Sequence, residues 1–497
     1  MKRRSLVVLF LLLMVSMPSS SGATLPSGSS TCLIFNVPSR STGWRPLQIS
    51  SSLQASIYAA HPGETLVVSG TCVGVAKIDK DLTVQGLGGH ATLDAQGGGT
   101  VLATYTGDTV TLRDLTVTNG GAGGIDNLGG TLTLVRTSVI GNSSFQSGGG
   151  IVNYGTLTLD HSVVSDNTTP YVGGGILNAD TQSSAGTVTL VDSTISGNAA
   201  TGSGGGIYNT TGTVTMTGST LSGNSADDGG GIFNRGKLTI AGSTVSGNSA
   251  NDSGGGIYDH PSGSTTITNA TVSGNTAVND GGGALVSGNL TLVTSIVRGN
   301  SAYGRGGAIM TSDGGTTTVR DSTVADNTAQ LGAITNFGST VAITNTIVSG
   351  NASGLFGAGI ANLYTGVMTV IDSTVRGNSA YEGGGIFNGS IVGFTVARST
   401  VTGNHASTDG GGISNVGAMI LTDSNVTNNT SASGGGISNR YGNFTLNNTS
   451  VSGNHAQAGG GIYILSGGPF TVTGATAITG NAPDNCYPPG LIPGCTG

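Results

Sequence analysis

The stretch GGGIYNTTGTVTMTGSTLSGNSA, from Gly204 to Ala226, decides the fold, because near copies of it fill most of a chain of 497 residues. Ile207 and Asn209 flank Tyr208, Val214 and Met216 alternate with Thr213, Thr215 and Thr217, and Leu221 lies between Thr220 and Ser222. Runs of period two belong to strands, whose successive side chains face opposite ways. Gly212, Gly218 and the Gly223-Asn224 pair separate the runs and tolerate positive φ at sharp corners. Three short strands and three corners make one coil of a parallel β-helix, an all-β solenoid.

The phrase ending in Gly-Asn or its equivalent recurs from Asn142 to Asn481 at intervals averaging about 26 residues, which marks a stacked repeat. One coil cannot bury Ile207, Val214, Met216 and Leu221, but the coils above and below can, so stability belongs to the stack. Ile151, Ile176, Ile207, Ile232 and Ile257 are expected to form one interior row. Asn198, Asn224, Asn248 and Asn275 are expected to point inward at a corner, each amide donating to one neighbour and accepting from the other. An inward Asn without such partners would cost kilocalories, and its recurrence argues for the ladder.

Charged residues make up 8% of the chain against a usual share of about 25%, and Gly accounts for 90 positions. Such a composition fits disorder, except that the apolar residues keep phase through every repeat. Lys2, Arg3 and Arg4 precede an apolar run from Leu6 to Met17, followed by Ser21, Gly22 and Ala23. Residues 1–23 therefore read as a secretory signal peptide, and no later segment is apolar enough to be a transmembrane segment. The formal net charge of −7 opposes nucleic-acid binding. Cys32, Cys72, Cys486 and Cys495 lie outside the repeats; in an exported chain they suggest disulfides, most simply Cys32 to Cys72 and Cys486 to Cys495, with three connectivities open.

Residues 24–119 read as an N-terminal cap and divergent first coils. Within them Ile49, Leu53 and Ile57 recur at helical spacing, so a short capping helix is expected over Leu47 to Ala60. Residues 120–481 are the regular β-helix repeats and 482–497 a C-terminal cap closed by a disulfide. Some 17 coils at about 4.8 Å would make a rod on the order of 80 Å long.

Gly306-Gly307-Ala308-Ile309, the near match Gly229-Gly230-Gly231-Ile232, and Val245-Ser246-Gly247-Asn248 carry a family likeness. They resemble the Gly-Gly-Ala-Ile and Phe-x-x-Asn repeats of polymorphic outer-membrane proteins, the second with an aliphatic residue in place of Phe. The repeat also resembles other secreted bacterial right-handed parallel β-helices of the pectin-lyase-like class. The resemblance implies a right-handed solenoid. Among similar proteins are autotransported adhesins on one side and polysaccharide lyases and hydrolases on the other.

Asp192, Asp321, Asp372 and Asp423 precede the Ser of a Ser-Thr or Ser-Asn pair, but Gly218, Gly242, Asn269 and Thr294 take the same place elsewhere, so this is a polar corner rather than a set of catalytic carboxylates. Asp227 with Asp228, Asp252 and Asp280 fall just before the Gly-rich corner in three successive coils, where stacking would align them into an acidic ridge suited to Ca²⁺. Arg298 and Arg305 are the nearest basic cluster. His405 and His455 share a corner two coils apart, too far for one metal. Tyr208, Phe233 and Tyr258 follow the inward Ile in consecutive coils and are expected to stack on the exterior, where an aromatic strip bordered by Asp228, Asp252 and Asp280 would suit a glycan or a surface protein. No catalytic motif and no cofactor motif is found. The expectation is a secreted or cell-surface binding or structural protein, an adhesin, with a polysaccharide-active enzyme of the same fold as the alternative.

Overall fold

In the coil of Gly204 the chain forms strands at Ile207–Asn209, Thr213–Thr217 and Thr220–Ser222, each a period-two run bounded by a corner. The computed structural model describes residues 31–37, 49–89, 91–181, 185–466, 468–492 and 495. The expected leader at 1–23 and the Ser-rich segment after it lie outside the described residues. Equivalent strands stack in register into three parallel sheets, here named first (Thr213–Thr217), second (Thr220–Ser222) and third (Ile207–Asn209). The protein is an all-β parallel solenoid of about 16 turns. A fourth, two-residue strand such as Ser225–Ala226 adds a 10-stranded sheet to the expected three. It forms because the chain stays extended past the Asn corner long enough to bury Ala226.

The interior is built of like on like. Ile207 lies between Ile176 and Ile232, Val214 between Val188 and Leu238, Met216 between Leu190 and Ile240, and Leu221 between Ile195 and Val245. All are 0% exposed. Burying each such side chain contributes roughly 1.5–3 kcal/mol, a gain available only to stacked coils.

At the corner after the second sheet, Asn198 Nδ2 donates to Asn224 Oδ1 at 3.0 Å, Asn224 Nδ2 to Asn248 Oδ1 at 2.9 Å, and Asn248 Nδ2 to Asn275 Oδ1 at 2.9 Å. Each Oδ1 also accepts the backbone N–H of the preceding ladder residue, as from Asn198 N to Asn224 at 3.0 Å. A second ladder runs at the end of the third-sheet strands through Asn127, Asn153, Asn178, Asn209 and Asn234 and stops at Asp259. It resumes from Asn336 through Asn362, Asn388 and Asn415 to Asn439. Asn167, Asn209 and Asn351, each the first residue of an Asn-x-Ser/Thr glycosylation sequon, sit in ladders at 0–1% exposure, so none of the three offers its amide to a glycan.

The corner after the first sheet is left-handed in every coil compared: Asp192, Asp321, Asp372 and Asp423 have φ between 46° and 53°, as do Asn269 and Thr294, with Gly218 and Gly242 at 59° and 56°. Asp and Asn tolerate this region better than most side chains, which explains their use there. Several of these Asp side chains pair along the corner, Asp372 with Arg398 at 2.7 Å and Asp321 with Asn345 at 2.7 Å.

The N-terminal cap differs from the expectation. Its helix spans Leu53–Ala59, starting where the Ser52 side chain accepts from Ala55 N, so the expected start at Leu47 is too early. Ile49, placed on that helix by spacing, is in the short strand Ile49–Ser50 and is 62% exposed. Ile49–Ser50 pairs with Leu33–Val37, which runs antiparallel along Glu64–Ser69 and covers the first rung of the first sheet. An uncovered rung would present an open edge to other chains. Cys32–Cys72 and Cys486–Cys495 are both disulfide-bonded.

Candidate functional site

The outer side of the third sheet carries a single column of side chains, one per coil. It runs Asp126, Val152, Leu177, Tyr208, Phe233, Tyr258, Leu285, Met310, Thr335, Ala361, Phe387, Ser414, Ser438, Tyr463. The Gly-rich segment before each strand folds back beside this column and walls it on one side. Gly204, at φ +70°, shows why that segment begins with glycine: a Cβ there would stand 2.5 Å from Ile207 O and 2.8 Å from Tyr208 Cα. Residues at the end of each strand or just after it, Tyr154, His260, Phe337 and Arg440 among them, form the opposite wall. The column is therefore the floor of a groove.

Tyr208 and Phe233 stack with ring centroids 5.1 Å apart and planes at 4°, and Phe233 and Tyr258 with centroids at 4.8 Å and planes at 24°. His260 extends the set, 6.1 Å from Phe233. The expectation of an exterior strip needs correction: Phe233 is only 8% exposed, and Tyr208 and Tyr258 are half-buried. The folded-back glycine segment covers ring surface that an open sheet would leave in water.

The acidic ridge is also corrected. Asp228 and Asp280 occupy one row with Ser253 between them, whereas Asp252 belongs to a neighbouring row with Asp227. The segment between Asn248 and Gly254 has one residue more than that between Asn224 and Gly229, which shifts Asp252 out of line. The carboxylates also have partners. Asp280 receives Arg305 Nη2 at 2.6 Å and Nε at 3.1 Å, and Asp252 receives Asn279 Nδ2 at 2.6 Å. Burial first, then the charge of Asp252, pushes the Asp228 carboxyl above its ordinary range. Among the described residues no three His, Cys, Asp or Glu side chains gather so as to hold a metal ion.

Arg298 and Arg305 do not form a cluster. Arg298 ends a second-sheet strand, while Arg305 is in the groove wall and lays its guanidinium over Phe337 of the opposite wall, 4.4 Å from the ring centroid. Met310 and Thr335, on the floor at that level, are 0% exposed. Farther along, Arg440 spans the groove again, pairing with Asp409 and, at 3.3 Å, with Glu382. Glu382 is 3% exposed and accepts from Ser414 Oγ at 2.7 Å. Burial raises its pKa, against the opposing pull of Ser414 and Arg440. His405 and His455 are exposed and joined through Thr430, with His405 Nδ1 2.9 Å from the Thr430 hydroxyl.

Sequence reasoning missed the open end of the groove. A cavity of about 610 Å³ lies over Asp126, Val152 and Leu177, with Phe145, Tyr154 and Tyr171 around it. Its signal was available: Phe145 and Tyr171 are loop aromatics in adjacent coils of a chain only 5% aromatic.

Residues 231–392 match the family described as right handed beta helix region, and residues 192–210 match the Chlamydia polymorphic membrane protein repeat. No curated protein matches the chain. Among solved structures the chain is similar to the PL6 family alginate lyase AlyGC, at 12% identity over 86% of this chain and 98% of that one, with a TM-score of 0.29. So loose a superposition bears no weight for function.

Proposed function

We propose that this chain is a secreted or cell-surface β-helix that binds a glycan in the groove over its third sheet, in the manner of an adhesin. The observation that carries this reading is the stacked run Tyr208, Phe233 and Tyr258 on the groove floor. Half-buried Tyr rings offer an apolar face to the C–H side of a sugar and a hydroxyl to its polar edge. The walls add acceptors beside them at Asp228 and Asp252. The similarity to the polymorphic membrane protein repeat and the leader read at residues 1–23 favour a place outside the cytoplasm.

Retention on immobilised neutral and uronic-acid polysaccharides tests the proposal. Replacing Tyr208 and Tyr258 together by Ala, with the buried Phe233 left in place, should abolish retention while the melting transition persists. Undiminished retention by the folded variant overturns this site. Release of unsaturated products that stops when one carboxylate is changed would replace the binding reading by the enzymatic one.

A further inference from the structure

The cavity at the open end of the groove has a chemistry distinct from the aromatic run beside it. Of its twelve lining residues three are aromatic, Phe145, Tyr154 and Tyr171, one is a carboxylate, Asp126, and none is basic. Phe145 and Tyr171 are 64% and 57% exposed at its mouth, although large apolar surface is costly to leave in water. Asp126 is on the floor, with one oxygen held by Thr100 Oγ1 at 2.8 Å. Burial raises the Asp126 pKa and the Thr100 hydrogen bond lowers it, so a cation in the cavity would supply the compensation that lost water no longer gives the carboxylate.

Aromatic faces carry negative potential and attract cations, most strongly where water is displaced. A carboxylate below several such rings adds a full charge of the same sign. No basic side chain lines the cavity to offset a phosphate, sulfate or carboxylate ligand, whose charge Asp126 would oppose. A neutral sugar could donate hydroxyls to Asp126 but would bring it no opposite charge. The volume lies within the usual range of roughly 300–1,000 Å³ for small-molecule sites, so it admits a cationic head together with several adjoining carbons.

We propose that this cavity binds an alkylammonium group, with the cation held between Phe145, Tyr154 and Tyr171 above the Asp126 carboxylate. The site is separate from the glycan reading, and its residues lie in coils preceding Tyr208.

Isothermal titration of the folded chain with choline, with n-butylammonium, and with the uncharged isostere of choline in which a tert-butyl group replaces trimethylammonium tests it. Saturable binding of a cation is expected, with the isostere at least about tenfold weaker. A preference for choline assigns the ligand to quaternary head groups, and a preference for n-butylammonium to lysine-like amines. Asp126→Asn, which keeps the shape and the Thr100 contact, and Tyr171→Ala, at an exposed position, should each weaken binding about tenfold with the melting transition unchanged. Equal affinity for the isostere, absence of saturable cation binding, or full affinity in both folded variants would overturn the proposal.

Discussion

Asn234 donates its side-chain amide to Asp259 Oδ1 at 2.8 Å, and there the amide ladder at the end of the third-sheet strands stops. Thr265 Oγ1 donates to the same oxygen at 2.6 Å, while Oδ2 is buried without a partner. In preceding coils the ladder amide gives its second hydrogen to a corner glycine carbonyl, as Asn209 does to Gly212 and Asn234 to Gly236. A carboxylate cannot donate. Burial accordingly pushes the Asp259 carboxyl from its ordinary 3.8 to about 6, against the pull of Thr265 and Asn234.

A proton held more tightly in the folded state stabilises it below the unfolded value, and that stability is lost as pH rises through the folded one. The contribution of Asp259 is thus full below pH 3.8 and disappears as pH rises through about 6, a change of about 3 kcal/mol. Asp259→Asn supplies the missing donor at every pH. Thermal melts at about pH 4 and about pH 7.5 should show the variant gaining on the parent as pH rises. A constant difference between them would refute the assignment.

At the ladder after the second sheet, Asn224→Leu removes the acceptor of Asn198 N and Nδ2 and the donor to Asn248 Oδ1 and Ile195 O. All of these groups are inside the wall, where water does not replace the lost partner. A loss of about 2–4 kcal/mol is expected in chemical denaturation. Unchanged stability would mean that the ladder contributes nothing net.

Gly242 and Gly254 both have positive φ, 56° and 69°, but differ in surroundings. Nothing lies within 4 Å of a Cβ on Gly242, whereas one on Gly254 would stand 2.8 Å from Ile257 O and from Tyr258 Cβ. Gly242→Ala should cost about 1–2 kcal/mol, the backbone penalty alone. Gly254→Ala should cost clearly more and loosen the aromatic stack, visible as altered Tyr side-chain signals in NMR spectra. Equal costs would show that the wall yields freely.

Arg440→Met leaves Glu382, 3% exposed, without its cation. Breaking one side of a buried pair costs about 3–5 kcal/mol. Arg398→Met breaks the exposed pair with Asp372 and should leave denaturation midpoints unchanged. Similar effects at the two sites would contradict the assignment of a buried clasp at Arg440.

The architecture was legible in the sequence because it is written in local periods. Val214, Met216 and Leu221 mark strands, Gly218 and Gly223 mark corners, and the recurrence of Asn224 marks an inward position, all without knowledge of what packs where. Those signals depend on φ and on which way a side chain faces, which neighbouring residues decide. The groove depended on distances between coils. One extra residue before Gly254 moved Asp252 out of line with Asp228, and the Gly229 segment folds back against the strand of the buried Phe233. Arg305 meeting Phe337 across the groove, and Phe145 and Tyr171 lining one cavity with Asp126, join residues about one coil apart. Only the stacking that completes each coil's hydrogen bonds brings them together, so the tertiary structure alone decided where the groove is closed and where it is open.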